Sequence, residues 1–335
     1  DWSSDVCSSD LAGSETGSKD DGESQGIKFA WLMSFPNSGT SYTMKATRLA
    51  SQRTTASNYG DHHIGDDGLT NVFEETINAT KIRYSLGPFR LSMEYDIPPS
   101  GSYILTKTHC GGRCSECRPS HYIEKLPSFK GECAQGKQTV KNEDASSSSN
   151  TKVVEAEYDP NIIQRAIHLI RNPFDNIVSR FHTHHNHKVD QKEEDWLRKH
   201  PKNASGFRAW CRDNDAMYPK LEEEYYNKIN NLENIPCHAE FFRWTQWHNL
   251  AFEVVEDMGI PVHMTYYEDY DDDFNKTLSG ILKFLNLEMS GKPHDFRSSN
   301  YSDHYTNKER EAGVAMVKQL ASERTWSQIS NRYNY

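Results

Sequence analysis

Several absences narrow the class of this 335-residue chain before any motif is read. No run of apolar residues approaches the roughly 20 that a membrane-spanning helix needs, so contact with a membrane would require an N-terminal anchor outside this sequence. Basic residues are in deficit. Lys and Arg number 38 against 48 Asp and Glu, a formal net charge of −10. That excludes a broad nucleic-acid-binding face, though not a local basic pocket for one small anion. No signal-peptide pattern opens the chain, whose first residue can lie downstream of one. No internal repeat occurs. The GxxxxGK[ST] pattern of nucleotide loops is missing, which leaves ATP or GTP hydrolysis unsupported.

What remains is the composition of a globular protein, 35% hydrophobic and 11% aromatic, long enough to bury a sizeable core. Residues 1–11, DWSSDVCSSDL, repeat Ser-Ser-Asp without a structural period. With the Gly/Ser/charged stretch that follows, they make residues 1–27 a flexible or non-native tail, and Cys7 is set aside with them. Apolar runs at 28–36, 102–109, 165–171 and 261–268 read as strands. Between them the pattern predicts helices from Gly39 to Ser51 and from Pro173, behind an Asn172 cap, to about Phe181. Further helices are expected at 238–259, 272–287 and 307–323. Strands alternating with helices imply an α/β fold: three layers, with a central parallel sheet flanked by helices. Residues 28–335 are expected to form one domain with a Cys/Ser-rich insertion at about 110–160.

Three segments carry chemistry. In SFPNSGTSYT a strand turns into a helix through Asn37, Ser38, Gly39, Thr40, Ser41 and Tyr42. Gly39 lets backbone approach an oxyanion, and the helix N-terminus favours negative charge. A plain Ser/Thr-capped helix is the competing reading. In ILTKTH, Lys107 and His109 end a strand, where ligands of open α/β sheets bind. Histidine can serve there as a base near neutral pH, and lysine can meet an anion. In LIRNPFDNIVSRF, Arg171 ends a strand and Ser179 lies two helical turns on, a fork and a hydroxyl suited to a phosphate.

In this order the three segments resemble the sulfotransferases that use 3′-phosphoadenosine 5′-phosphosulfate (PAPS). TYYEDYDDDFNKTLSGILKFLNL resembles a later strand and helix of that family. The likeness spans residues 28 to about 287. It implies a P-loop-like sulfotransferase fold and transfer of a sulfuryl group from PAPS to a hydroxyl or amine. It also implies roles. The backbone of residues 38–40 and the side chains of Thr40 and Ser41 would hold the 5′-phosphosulfate. Lys107 would bind the sulfuryl oxygens, and His109 would deprotonate the acceptor. Arg171 and Ser179 would hold the 3′-phosphate, with Tyr42 and Tyr267 beside the adenine. No metal is required on this reading, because lysine, arginine and loop N–H groups stabilise the charge that develops in the displacement. Two positions depart from the family. Asn37 stands where many members have lysine, so Lys107 or Lys45 would have to supply that charge. The Gly-x-x-Gly-x-x-Lys segment expected near the C-terminus is absent.

Without Cys7, the cysteines number six: Cys110, Cys114, Cys117, Cys133, Cys211 and Cys237. With sequons at Asn78, Asn203, Asn275 and Asn300, an even count points to disulfides and a secretory-pathway lumen such as the Golgi, with the cytoplasm as the alternative. A zinc site at Cys110, Cys114, Cys117 and Cys133 is the rival reading. The bunched His182, His184, His185 and His187 suggest a solvated helix end or an acceptor rim before a metal site. The acidic run 267–273 suggests helix N-terminal acids before calcium. A lumenal carbohydrate or another small molecule is the expected acceptor, with no nucleic-acid partner. The competing classes are a catalytically weak relative that binds a nucleotide or anionic glycan, and a nucleoside or nucleotide kinase.

Overall fold

The structure, a computed structural model, describes residues 27–59, 71–72, 74–77, 80–83, 88–90, 95–112, 125–141, 151–217, 232–298 and 301–335. Strand β1 (Lys28–Ser34) leads into helix α1 (Thr40–Ser51). Short strands follow: β2 (Ala56–Ser57), β3 (Asn71–Val72), β4 (Glu74–Ile77), β5 (Thr80–Arg83) and β6 (Phe89–Arg90). Next come β7 (Tyr103–Thr108), α2 (Leu126–Cys133), β8 (Gln135–Lys141), β9 (Thr151–Glu157) and β10 (Ile163–Ile170). Helices α3 (Pro173–Asp190), α4 (Glu194–Lys199), α5 (Ala204–Ala216) and α6 (His238–Asp257) precede β11 (Val262–Tyr266). The chain continues through α7 (Asp269–Asp272), α8 (Phe274–Phe284), α9 (Asn307–Leu320) and α10 (Glu323–Tyr333).

The main sheet has the order β11-β10-β1-β7-β2-β6-β3. The five strands from β11 to β2 run parallel, and β6 and β3 pair antiparallel at one edge. Because side chains alternate along a strand, β1 feeds two cores. Phe29, Trp31 and Met33 face a core shared with Phe174 and Phe181 of α3 and with Trp244 and Trp247 of α6. Ala30 and Leu32 face another, shared with Met44 of α1 and Ile281 of α8. Helices on both faces of a parallel sheet give the expected three layers, and each large side chain buried between them contributes about 1.5–3 kcal/mol.

Three expectations change. Helix α3 does not stop near Phe181 but continues to Asp190. Its polar later turns are held by tertiary contacts that local periodicity cannot show: Trp210 of α5 donates through Nε1 to His184 Nδ1 (3.1 Å), and Trp196 of α4 lies against His184. The 110–160 stretch contains helix α2 and the antiparallel pair β8–β9. A further C-terminal helix, α10, starts behind Ser322, whose hydroxyl accepts from the Thr325 amide. The expected disulfides are present: Cys110 pairs with Cys133 and Cys211 with Cys237. Cys114 and Cys117 lie outside the described residues, as do the tail before residue 27, the Ser-rich run near 145 and the sequons at Asn78 and Asn300. Asn203 and Asn275 are exposed.

The acidic run serves helix termini and an arginine: Asp273 caps α8, and Arg332 binds Asp269 (2.9 Å) and Asp272 (2.6 Å). Among the described residues, no group of three or more His, Cys, Asp or Glu could hold a metal ion. None of their helices is long and apolar enough to cross a membrane.

Candidate active site

Parallel pairing puts the carboxyl ends of β10, β1 and β7 at one edge of the sheet, with Met33 opposite Thr108 and Ser34 opposite Leu169. The residues that follow each strand must therefore meet there. After β1 the chain turns through Ser38 N–H···O=C Phe35 (3.2 Å). Asn37 (φ 68°) and Gly39 (φ 93°) both adopt left-handed backbone, a conformation Gly takes freely and Asn more readily than most residues. Gly39 is the N-cap of α1, and no side chain caps that helix. The Ser/Thr-capped alternative thus fails. Ser38 Oγ instead accepts from Asn176 Nδ2 (3.0 Å), and Thr40 Oγ1 lies 2.5 Å from Ser34 Oγ. The first-turn amides of α1 are left to face an anion.

A cleft of about 450 Å³ opens in front of this turn. Its walls include Asn37, Gly39, Thr40, Ser41, Tyr42, Lys107, His109, Arg171 and Ser179. Of the residues singled out in the sequence, Ser38 is buried behind the loop. Tyr267 also stands one step back: its ring lies 4.2 Å from the Arg171 guanidinium and directly against Gly39. Lys107, 6% exposed, reaches Ser41 Oγ with its ammonium (3.3 Å). Lys45, the other candidate for the missing loop charge, is exposed and takes no part in the cleft wall.

His109 is held on four sides. Its backbone N–H donates to the Tyr59 hydroxyl (2.5 Å), and its carbonyl accepts from Trp247 Nε1 (2.7 Å). Its ring stacks on Tyr59. Nδ1 lies 2.8 Å from the Ser34 carbonyl oxygen, which can only accept. Nδ1 therefore carries the proton, and in the neutral ring the basic lone pair belongs to Nε2.

Arg171 links the third segment to the first, its NH1 donating to the Asn37 carbonyl (2.9 Å). Its Nε is buried and has no hydrogen-bond partner among the described residues. A buried donor of this kind is costly unless an acceptor arrives, which suits a phosphate oxygen. Asn37 Nδ2 donates to Thr183 Oγ1 (2.6 Å). Tyr42 donates its hydroxyl proton to the His294 carbonyl (3.0 Å). Burial and the nearby Asp295 push that phenol up to about 12, so it stays protonated.

The family model for the sulfotransferase domain matches residues 29–330. This chain belongs to the sulfotransferase domain family. Sulfuryl transfer is the chemistry of such a domain. Among solved structures, the chain matches that of mouse sulfotransferase SULT7A1 complexed with PAP, 14% identical, with 89% of this chain and 69% of that chain covered and a TM-score of 0.27. No curated protein matches.

The sulfotransferase cleft also contains residues that the motifs did not indicate: Arg180, Thr183, His184, His187, Trp210 and Glu240. Two of them, His184 and His187, belong to the histidine bunch for which a helix end or an acceptor rim was expected, on the turns by which α3 outruns its expected end. Glu240 could have been suspected as the one acid in the aromatic-rich run HAEFFRW. Trp210 carries no local signal.

Proposed function

We propose that this sulfotransferase uses PAPS as its donor and a carbohydrate hydroxyl as its acceptor. The observation that carries the reading is the convergence of the three strand-end segments, with Arg171 bonded to the loop at Asn37 and its Nε without a partner among the described residues. The loop amides before α1, with Ser41 and Lys107, would hold the 5′-phosphosulfate. Arg171 and Ser179 would hold the 3′-phosphate, and Tyr42 and Tyr267 would flank the adenine. When bound, PAPS supplies an activated sulfuryl group.

The protein's own part is positioning and charge stabilisation. His109 Nε2 takes the proton from the acceptor hydroxyl, while the Ser34 carbonyl keeps the ring in the required tautomer. Lys107 supplies positive charge where Asn37 brings only a hydrogen bond. The disulfides Cys110–Cys133 and Cys211–Cys237 support a secretory lumen, probed by expression in oxidising and reducing compartments.

A labelled-donor transfer assay over glycans and phenols tests the reading. His109→Ala should lower transfer roughly 10²–10⁴-fold while PAP still binds. Equal transfer by wild type and variant removes His109 as the base. The second reading, a catalytically weak relative that holds the nucleotide or an anionic glycan, is favoured by the uncharged Asn37. It predicts binding of PAP with no turnover of any acceptor.

A further inference from the structure

The chain turns sharply behind Arg171, and the turn is held from the far end of the sequence. Asn172, the next residue, has all four of its polar groups engaged. Its N–H donates to Glu268 Oε1 (2.9 Å), and its carbonyl accepts from the Asn176 amide (2.9 Å). Its side-chain oxygen accepts from the Phe174 amide (3.0 Å), and its Nδ2 donates to the Tyr335 hydroxyl (3.0 Å). The second oxygen of Glu268 accepts from the Tyr333 hydroxyl (2.9 Å). Burial pushes the Glu268 carboxyl up, against the pull of these hydrogen bonds and of Arg171. A carboxylate oxygen deprived of its donor in such surroundings is costly.

The two tyrosines belong to α10 and the residues just after it, and that helix has other anchors. Arg332 binds Asp269 and Asp272, and Gln328 Oε1 accepts from the Tyr266 hydroxyl (3.0 Å). Docking of α10 therefore does not depend on the Tyr333 and Tyr335 hydroxyls alone. What those hydroxyls touch is the pair of segments that grips the cleft, 171–172 and 267–268. These segments are joined twice. In front, the Tyr267 ring stacks on the Arg171 guanidinium and lies against Gly39. Behind, the Glu268 carboxylate holds the Asn172 amide.

We propose that Tyr333 and Tyr335 are positioning residues for Arg171: through Glu268 and Asn172 they fix the backbone that follows it, and with it the direction in which its guanidinium meets an anion. This deepens the donor reading above and rests on it in making that anion the 3′-phosphate of PAPS. Arg171 Nε, without a partner among the described residues, is the donor whose aim the arrangement sets. If the two hydroxyls only secure α10, their loss will act like the loss of any other anchor of that helix.

Two measurements distinguish these outcomes: amide hydrogen exchange without ligand, and calorimetry with PAP. Both are made where urea unfolding shows every variant to be folded. Tyr333→Phe combined with Tyr335→Phe keeps both rings and deletes both hydroxyls. In that variant exchange at the Asn172 amide should quicken roughly tenfold, and PAP affinity should fall roughly tenfold. Glu268→Gln, which keeps an acceptor for the Asn172 amide and a partner for Tyr333, should retain most of the affinity that Glu268→Ala loses. Gln328→Ala removes an anchor of α10 away from the turn and should leave PAP affinity within about twofold of wild type. Unchanged exchange at Asn172 in the double variant, or an equal loss of PAP affinity in Gln328→Ala, overturns the proposal. A wild type that binds no PAP removes the donor reading, and the exchange at Asn172 then decides the positioning role by itself.

Discussion

Replacing Gly39 with alanine tests whether the donor loop is built as described, because the cost can be worked out contact by contact. At φ 93° any side chain meets the left-handed penalty, about 1–2 kcal/mol. A Cβ at this position would lie 2.2 Å from Cδ2 and 2.5 Å from Cε2 of Tyr267. The ring would have to withdraw by about 1 Å to reach ordinary contact, and overpacking of this kind costs about 1–3 kcal/mol. Tyr267 cannot withdraw alone, since its face is stacked on the Arg171 guanidinium at 4.2 Å, a contact itself worth about 0.5–2 kcal/mol. The left-handed and overpacking terms alone sum to about 2–5 kcal/mol, divided between folding and donor binding. If even 2 kcal/mol falls on binding, PAP affinity drops by roughly 30-fold. Urea unfolding and PAP calorimetry on the same preparations measure the two shares. The Tyr267→Ala background isolates the clash: there Gly39→Ala should cost only the left-handed term. An equal cost in both backgrounds, or an unchanged midpoint and affinity, would refute the packing described for this loop.

Two other outcomes are expected. His168 and His248 are fully buried and share a hydrogen bond of 2.8 Å. Burial, with a smaller contribution from Arg324, pushes His168 down to about 3, and burial holds His248 well below its usual value. Because the folded pKa is depressed, this stability is present above about pH 6.5 and is lost as pH falls towards 3; the urea midpoint should decline below pH 6.5, and less steeply in His168→Asn, whereas a flat midpoint down to pH 5 would contradict the assignment. For the loop, Asn37→Lys should raise kcat roughly tenfold or more by adding charge at the bond being broken. The same change should lower stability by about 2 kcal/mol through left-handed lysine and the lost Thr183 hydrogen bond, and an unchanged kcat would mean that Lys107 already supplies that charge.

The parts of this protein legible in its sequence share one property: their physics is local. An apolar run and the turn or helix start that follows it lie within 20 or so consecutive residues, and parallel pairing then brings three such strand ends to one edge of the sheet. Gly39, His109 and Arg171 could be found that way because His109 and Arg171 directly follow their strands and Gly39 lies in the turn that follows its own. Arg180 could not, although it adjoins Ser179, because its meaning depends on Glu240, sixty positions later, and on Arg243 behind it. The length of α3 was hidden for the same reason, since its polar last turns are stabilised by Trp196 and Trp210 on helices that local periodicity treats separately. Asn37 joins the two kinds of information. Seen as a motif it is a missing lysine; in the structure it is a residue in left-handed backbone whose amide ties the loop to α3 through Thr183. Lysine there would add charge but strain the turn and release that tie. The loop thus favours defined geometry over local charge, and the cations that touch it are anchored on neighbouring elements, Lys107 on β7 and Arg171 at the end of β10. A sulfotransferase so arranged should depend on those two cations more than on any residue of the loop itself.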